Sequence, residues 1–259
     1  MKKLSIGILG AGGRMGQAIA ALAAEDAGLS IGGLLEAHDS PNLGKTFYGV
    51  PVTDQLQDVL GKAQVFIDFT SPPAALGHAT AIAAAGKPLV IGTTGIDGAK
   101  REELARTVKN IPVVLSPNMS LSANVLFDMV ETLARALPGY DAEIFEIHHN
   151  KKKDAPSGTA KRLAESVKKG RAAGEFVFGR SGLVGERTPQ EIGVHALRGG
   201  DVVGDHTVFF IGNGERIELA HRVTSRNAFA AGALVAAKWL ARQPAGLYDM
   251  RDVLGLKKN

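Results

Sequence analysis

The sequence predicts an α/β chain in two parts: a parallel sheet flanked by helices, then an α+β region whose sheet is mostly antiparallel. Three observations carry this. Short β-branched apolar runs alternate with Ala-rich stretches of helical period up to about residue 118. The rhythm changes from Leu121 onward. Within "DHTVFFIGNGERIELAHRV", Gly212, Asn213 and Gly214 separate two strand-like runs, as in a β-hairpin. A chain of 259 residues with 45% apolar content can bury one large core or two modest ones.

In order, the first part offers strands in "KLSIGIL", "LSIGGLL", "AQVFIDF", "KPLVIGT" and "IPVVLSP". Between them, "MGQAIAALAAE", "PAALGHATAIAAA" and "AKREELARTVKN" place apolar residues at helical spacing. Repeated βα units build a parallel sheet, and ligands on such sheets gather at the carboxyl ends of the strands. The second part begins with a helix from Leu121 to about Leu137, then a strand, "AEIFEIHH", and a helix from Ser157 to about Lys169. β-rich segments follow. An Ala-rich helix, Ala228 to about Ala241, and the tail "GLYDMRDVLGL" return to pack on the first part. The expected division is residues 1–120, completed by 228–259, as a dinucleotide-binding domain, and residues 121–227 as a domain for substrate binding and oligomerisation.

The first strand runs into Gly10, Ala11, Gly12, Gly13, Arg14, Met15 and Gly16. Met15 stands where the common dinucleotide fingerprint has its third glycine, so Gly10, Gly13 and Gly16 form a Gly-x-x-Gly-x-x-Gly variant. The physics is unchanged. Missing side chains let the backbone turn tightly and approach a pyrophosphate, and the next helix aims unpaired N–H groups at it. A bare glycine-rich turn is the alternative. Its place in the first βα unit, and Glu36 twenty residues past Gly16, favour a Rossmann-type nucleotide site. Glu36 can accept both ribose hydroxyls and would repel a 2′-phosphate. Its neighbour is Ala37 rather than Arg, and His38 is the nearest candidate cation, which favours NADH while leaving NADPH possible. Gly92, Thr93 and Thr94, and the run from Ser116 through Pro117, Asn118 and Met119 to Ser120, end two more strands in small or polar residues able to flank a nicotinamide.

The stretch "HHNKKKDAPSGTA" concentrates His148, His149, Lys151 to Lys153 and Asp154 ahead of a helix start at Ser157, Gly158 and Thr159. A helix start and lysines suit a carboxylate. Pro156 sets the chain just before it, and Asp154 either caps the helix or orients a lysine. Adjacent histidines on a strand point to opposite faces unless the strand ends there. Individually, each of these residues is more often a solvated loop lysine or an ordinary cap. Together they point to a small anionic substrate. Arg198 and Arg226 are further candidates for anion contacts or ties.

The chain has no Cys, which removes disulfides and thiol-acyl chemistry and fits a reducing compartment, with the cytoplasm as default. No apolar run reaches bilayer length. The net charge is +4, but aromatics are only 5% and the basic residues are scattered apart from Lys151 to Lys153, so neither nucleic acid nor membrane is the expected partner. No metal site is read from the sequence. A nucleotide sensor without turnover is the rival class.

These segments resemble the 4-hydroxy-tetrahydrodipicolinate reductase (dihydrodipicolinate reductase) family. "HHNKKKDAPSGTA" is similar to its signature, and "GAGGRMG", "VFIDFTSP", "VIGTTG", "RGGDVVGDHTV" and "GLYDMRDVLGL" extend the likeness over nearly the whole chain. The resemblance implies reduction of a cyclic dicarboxylate in the diaminopimelate route to lysine by a cytoplasmic homotetramer. It also implies His148 as acid–base residue, Lys152 as proton donor, and His149, Gly158 and Thr159 on the substrate carboxylates. On the nucleotide side it implies Gly10 to Met15, Glu36, Gly92 to Thr94 and Ser116 to Met119. Ala37 departs from relatives that carry Arg there and use NADPH well.

Overall fold

A computed structural model describes residues 3–257. The chain forms two compact units, one of residues up to Leu121 together with those from Arg226, the other Ser122–Ser225.

The first unit is built on an eight-stranded sheet. Its parallel strands are β1 (Leu4–Leu9), β2 (Leu29–Leu35), β4 (Val50–Thr53), β5 (Val65–Asp68), β6 (Leu89–Ile91), β7 (Pro112–Leu115) and β13 (Gly246–Tyr248), with β3 (Thr46–Phe47) antiparallel at the edge. The order is β13-β7-β6-β5-β1-β2-β4-β3. Val65 to Asp68 and Leu89 to Ile91 are buried without alternation, because helices cover both faces. On one face α1 (Arg14–Glu25), α7 (Asn227–Leu240) and α8 (Met250–Val253) supply Ile19, Ala23, Ala233, Leu240 and Met250. On the other, α2 (Leu56–Leu60), α3 (Pro72–Ala84) and α4 (Gly98–Thr107) supply Val59, Leu60, Ala75, Ile82 and Leu104. The short β3, β4 and α2 add to the sequence expectation. Their apolar runs are too brief to show a period.

The second unit packs α5 (Leu121–Ala136) and α6 (Gly158–Arg171) against one face of a five-stranded sheet. Its order is β12-β11-β8-β10-β9, from β12 (Arg216–Val223), β11 (Gly204–Ile211), β8 (Asp141–His148), β10 (Glu191–Arg198) and β9 (Glu175–Phe178). Antiparallel pairing joins β12, β11 and β8, and parallel pairing joins β8, β10 and β9. The antiparallel ladders hold more of the registered residues, as the sequence predicts. Gly214, at φ 84°, turns the β11–β12 hairpin where the glycine spacing places it.

Strand β8 alternates between half-buried and buried residues along its whole length. Ala142, Ile144, Glu146 and His148 therefore share the buried face, the first two in the apolar core. The same period that packs the strand carries an acid and an imidazole to the end of that face.

Candidate active site

At the carboxyl edge of the first sheet, Gly10 follows β1 with φ 81°, a conformation suited to glycine, and a Cβ there would lie 2.7 Å from the Phe69 carbonyl oxygen. Gly10 and Ala11 both donate their backbone N–H to Leu35 O, at 3.0 Å. A Cβ on Gly16 would lie 2.1 Å from Gly10 O, so helix α1 can start tight against the turn only with glycine there. Gly13 is the N-cap and gives α1 no side-chain cap. The first-turn N–H groups at Arg14, Met15 and Gly16 have no acceptor within the helix.

Beside this turn lies a cavity of about 310 Å³, lined by Gly10, Gly13, Glu36, Ala37 and, from the end of β5 and from α3, Phe69, Thr70, Ser71, Ala74 and His78. Beneath it Asp68 is fully buried. One of its oxygens accepts from Thr70 N (3.0 Å), Thr70 Oγ1 (2.7 Å) and Thr93 Oγ1 (2.9 Å), and the other lies 2.8 Å from His78 Nδ1. His38 Nδ1 is 2.5 Å from an oxygen of Asp54, whose hydrogen bond pushes the His38 pKa up.

The other nucleotide candidates take different positions. Gly92 is buried against the Phe69 ring, Thr93 belongs to the Asp68 cluster, and Thr94 is exposed. Ser116 Oγ donates to Asn118 O (2.8 Å), Pro117 is exposed, and the Met119 side chain lies in the core. Ala11 is buried and Arg14 exposed.

In the second unit, Glu146 is wholly buried and four nitrogens converge on it. His148 Nδ1 is 2.6 Å from Oε2. Arg198 donates to Oε2 (2.8 Å) and Oε1 (2.9 Å), and Ser157 N donates to Oε1 (2.9 Å). Burial pushes the Glu146 carboxyl up, but the bonds from His148, Arg198 and Ser157 outweigh it and hold it at about 2. Arg198 also donates to Asp154 O (2.7 Å), tying β10 to the loop after β8.

His206 packs edge-on against His148, with ring centroids 5.1 Å apart. Burial, with His148 beside it, lowers the His206 pKa to about 3. Strand β8 ends at His148, so His149 leaves the alternation, and its Nδ1 is buried without a hydrogen-bond partner among the described residues. Lys152 N donates to His149 O (3.1 Å), closing a turn. Lys152 Nζ donates to both Asp154 oxygens, at 2.8 and 3.0 Å. Asp154 thus orients a lysine instead of capping the helix.

The cap of α6 is Ser157. Ser157 Oγ accepts from Ala160 N (3.1 Å) and lies 3.0 Å from His206 Nε2, while its own N–H goes to Glu146. Both its polar groups are committed inside the protein. Gly158 then opens α6, with open space where a Cβ would stand. Arg226 is exposed at the N-cap of α7 in the first unit.

Residues 4–119 match the family profile described as dihydrodipicolinate reductase, N-terminus, and residues 122–254 match dihydrodipicolinate reductase, C-terminus. The chain belongs to the dihydrodipicolinate reductase family. It is 51% identical over 262 residues to a 4-hydroxy-tetrahydrodipicolinate reductase of Anaeromyxobacter dehalogenans, covering 96% of this chain and 97% of that one. It is 48% identical to the protein of that name in Thiobacillus denitrificans, over 97% and 98% of the two chains. Among solved structures, the dipicolinate-bound dihydrodipicolinate reductase from Paenisporosarcina sp. TG-14 matches at TM-score 0.80 and 23% identity, over 95% and 97% of the chains. A C. glutamicum DAP dehydrogenase in complex with DAP shares the fold more loosely, at TM-score 0.57 and 13% identity over 100% and 97%. The dihydrodipicolinate reductase family is one of NAD(P)H-dependent reductases.

Sequence reasoning missed Glu146, His206, Asp68 and His78 as parts of these clusters. The available signals were an acid two residues before His148, and an acid ending the apolar strand "VFID". Among the described residues no helix is long and apolar enough to cross a membrane, and no group of three His, Asp or Glu is placed to hold a metal ion.

Proposed function

We propose that this chain reduces 4-hydroxy-tetrahydrodipicolinate to tetrahydrodipicolinate with NAD(P)H, with loss of water from the 4-hydroxy precursor, in the diaminopimelate route to lysine. The observation that carries the reading is the polar end of the β8 face. There His148 is held on buried Glu146, and Lys152 and the start of α6 follow within a dozen residues.

The first unit fits a dinucleotide. Gly10 and Gly16 leave the room that a Cβ would fill, α1 starts without a side-chain cap, and Glu36 lines the adjacent cavity where ribose hydroxyls can donate to it. The nucleotide, when bound, supplies a hydride to C4 of the substrate ring. Glu36, the missing cation at Ala37 and the engagement of His38 by Asp54 favour NADH, with NADPH also accepted.

The second unit handles charge and protons. The buried His149 Nδ1 and the Gly158 N–H at the first position of α6 are donors for the two substrate carboxylates, with Thr159 beside them. Ser157 shapes that helix start from inside. Electron density driven toward the ring nitrogen must be met by a proton. Lys152 supplies it: Asp154 fixes the ammonium through two bonds and leaves its third hydrogen available. His148 moves protons at the same site.

Replacing Lys152 with Ala should lower kcat by roughly 10²–10⁴-fold and leave NADH affinity nearly intact. The assay is steady NADH oxidation on freshly made substrate. Equal loss of rate and NADH affinity would refute the role, and absence of turnover in the unaltered protein would favour the sensor. A cytoplasmic homotetramer belongs to the same reading, and light scattering in solution tests the assembly.

A further inference from the structure

We propose that Glu146 is a positioning residue that fixes neutral His148 as its Nδ1–H tautomer and leaves Nε2 to exchange the proton, an inference that rests on the role of His148 proposed above.

An ionised carboxylate only accepts hydrogen bonds. Glu146 offers two oxygens to four partners, and three of these are unambiguous donors: two N–H groups of Arg198 and the backbone N–H of Ser157. A carboxylate so placed is ionised, in keeping with its lowered pKa. The fourth partner, His148 Nδ1 at 2.6 Å, must then carry its hydrogen toward Glu146. Strand alternation makes this geometry rigid, because residues 146 and 148 stand two apart on one buried face.

On the opposite side of the ring a Cβ on Gly204 would lie 3.0 Å from His148 Nε2, so glycine there keeps a side chain off that nitrogen. When Nε2 takes up a proton the ring becomes an imidazolium with its charge against Glu146; when Nε2 releases it, the Nδ1–H form returns. Glu146 exchanges no proton itself.

The charged and titratable groups around the ring are Glu146 on its own strand, Arg198 at the end of β10, His206 on β11 with His221 of β12 behind it, and the Lys152–Asp154 pair in the following loop. Of these only Glu146 bonds to a ring nitrogen of His148 among the contacts described.

The test combines ¹⁵N histidine NMR with kinetics. In the unaltered protein, in the pH range where the ring is neutral, His148 should show the Nδ1–H pattern, its signals assigned by their loss in His148→Asn. In Glu146→Gln one amide oxygen cannot serve four donors, so the ring should shift toward Nε2–H. In this variant kcat should fall on the order of 10²–10³-fold, with substrate KM and NADH affinity little changed. Glu146→Asp should recover part of the rate. A Nε2–H ring in the unaltered protein overturns the proposal, whether or not the Gln variant folds. So does a folded Glu146→Gln that keeps its rate, or one that loses rate with the Nδ1–H ring intact, the behaviour of a purely structural partner of Arg198. Full activity in His148→Asn would instead overturn the underlying reading of the site, and this inference with it.

Discussion

Acidification from pH 7.5 to 5 should destabilise this protein through His206. The ring is 3% exposed, and burial, with His148 beside it, lowers its pKa to about 3, against 6.5 in the unfolded chain. Between those values the unfolded chain binds a proton that the folded state refuses. The stability at stake is therefore fully present above pH 6.5 and lost progressively as pH falls toward 3. At pH 5 the difference is about 1.5 units, or roughly 2 kcal/mol at 1.36 kcal/mol per unit, and the melting temperature should drop by roughly 4–8 °C. Glu143 and Glu146, both held near 2, lose their contributions only below about 4.5, outside this window. His221, lowered by burial, adds in the same sense, whereas exposed His38, raised by Asp54, opposes it. Comparison with His206→Gln cancels both, since the amide can still reach Ser157 but does not titrate. Urea unfolding at the two pH values should show a smaller acid loss in the variant by about that 2 kcal/mol. Parallel losses in the two proteins would refute the argument.

Arg198→Met should cost about 3–5 kcal/mol, because it leaves the buried Glu146 carboxylate without its cation; thermal melts check this. Gly16→Ala pushes a Cβ into the Gly10 carbonyl, so stability should fall by about 1–3 kcal/mol, and nucleotide affinity, read by fluorescence titration, should fall with it. Ala37→Arg adds a cation beside the Glu36 end of the cavity and should improve NADPH binding about tenfold, one charge-assisted hydrogen bond, with little gain for NADH; equal gains would exclude a 2′-phosphate contact.

The parts of the fold carried by local pattern were legible in the sequence. The period-2 runs, the glycine turn after β1 and the Gly212 to Gly214 hairpin depend on neighbours a few residues apart. The Asp68 cluster was not legible, because Thr93 reaches Asp68 only through the β5–β6 register, which pairs Asp68 with Ile91. Glu146 was hidden for a related reason. In "EIFEIHH" Glu143 and Glu146 look alike, yet three residues on a strand put them on opposite faces. Glu143 joins Arg180, Arg187 and His195, and Glu146 turns inward to His148. Ser157 was recognisable as a helix start, but its engagement with both Glu146 and His206 required strands distant in sequence.

The first unit is interrupted: α7, β13 and α8 belong to it but come after the whole of Ser122–Ser225. On the ribosome, the stretch made first must wait for the last thirty or so residues before its sheet gains its edge strand and one helical face closes over Ile19 and Val114. The stretch made second is continuous and can finish earlier. Nascent chains stalled just short of Arg226 should therefore protect the middle of the polypeptide from protease while its beginning remains cleavable.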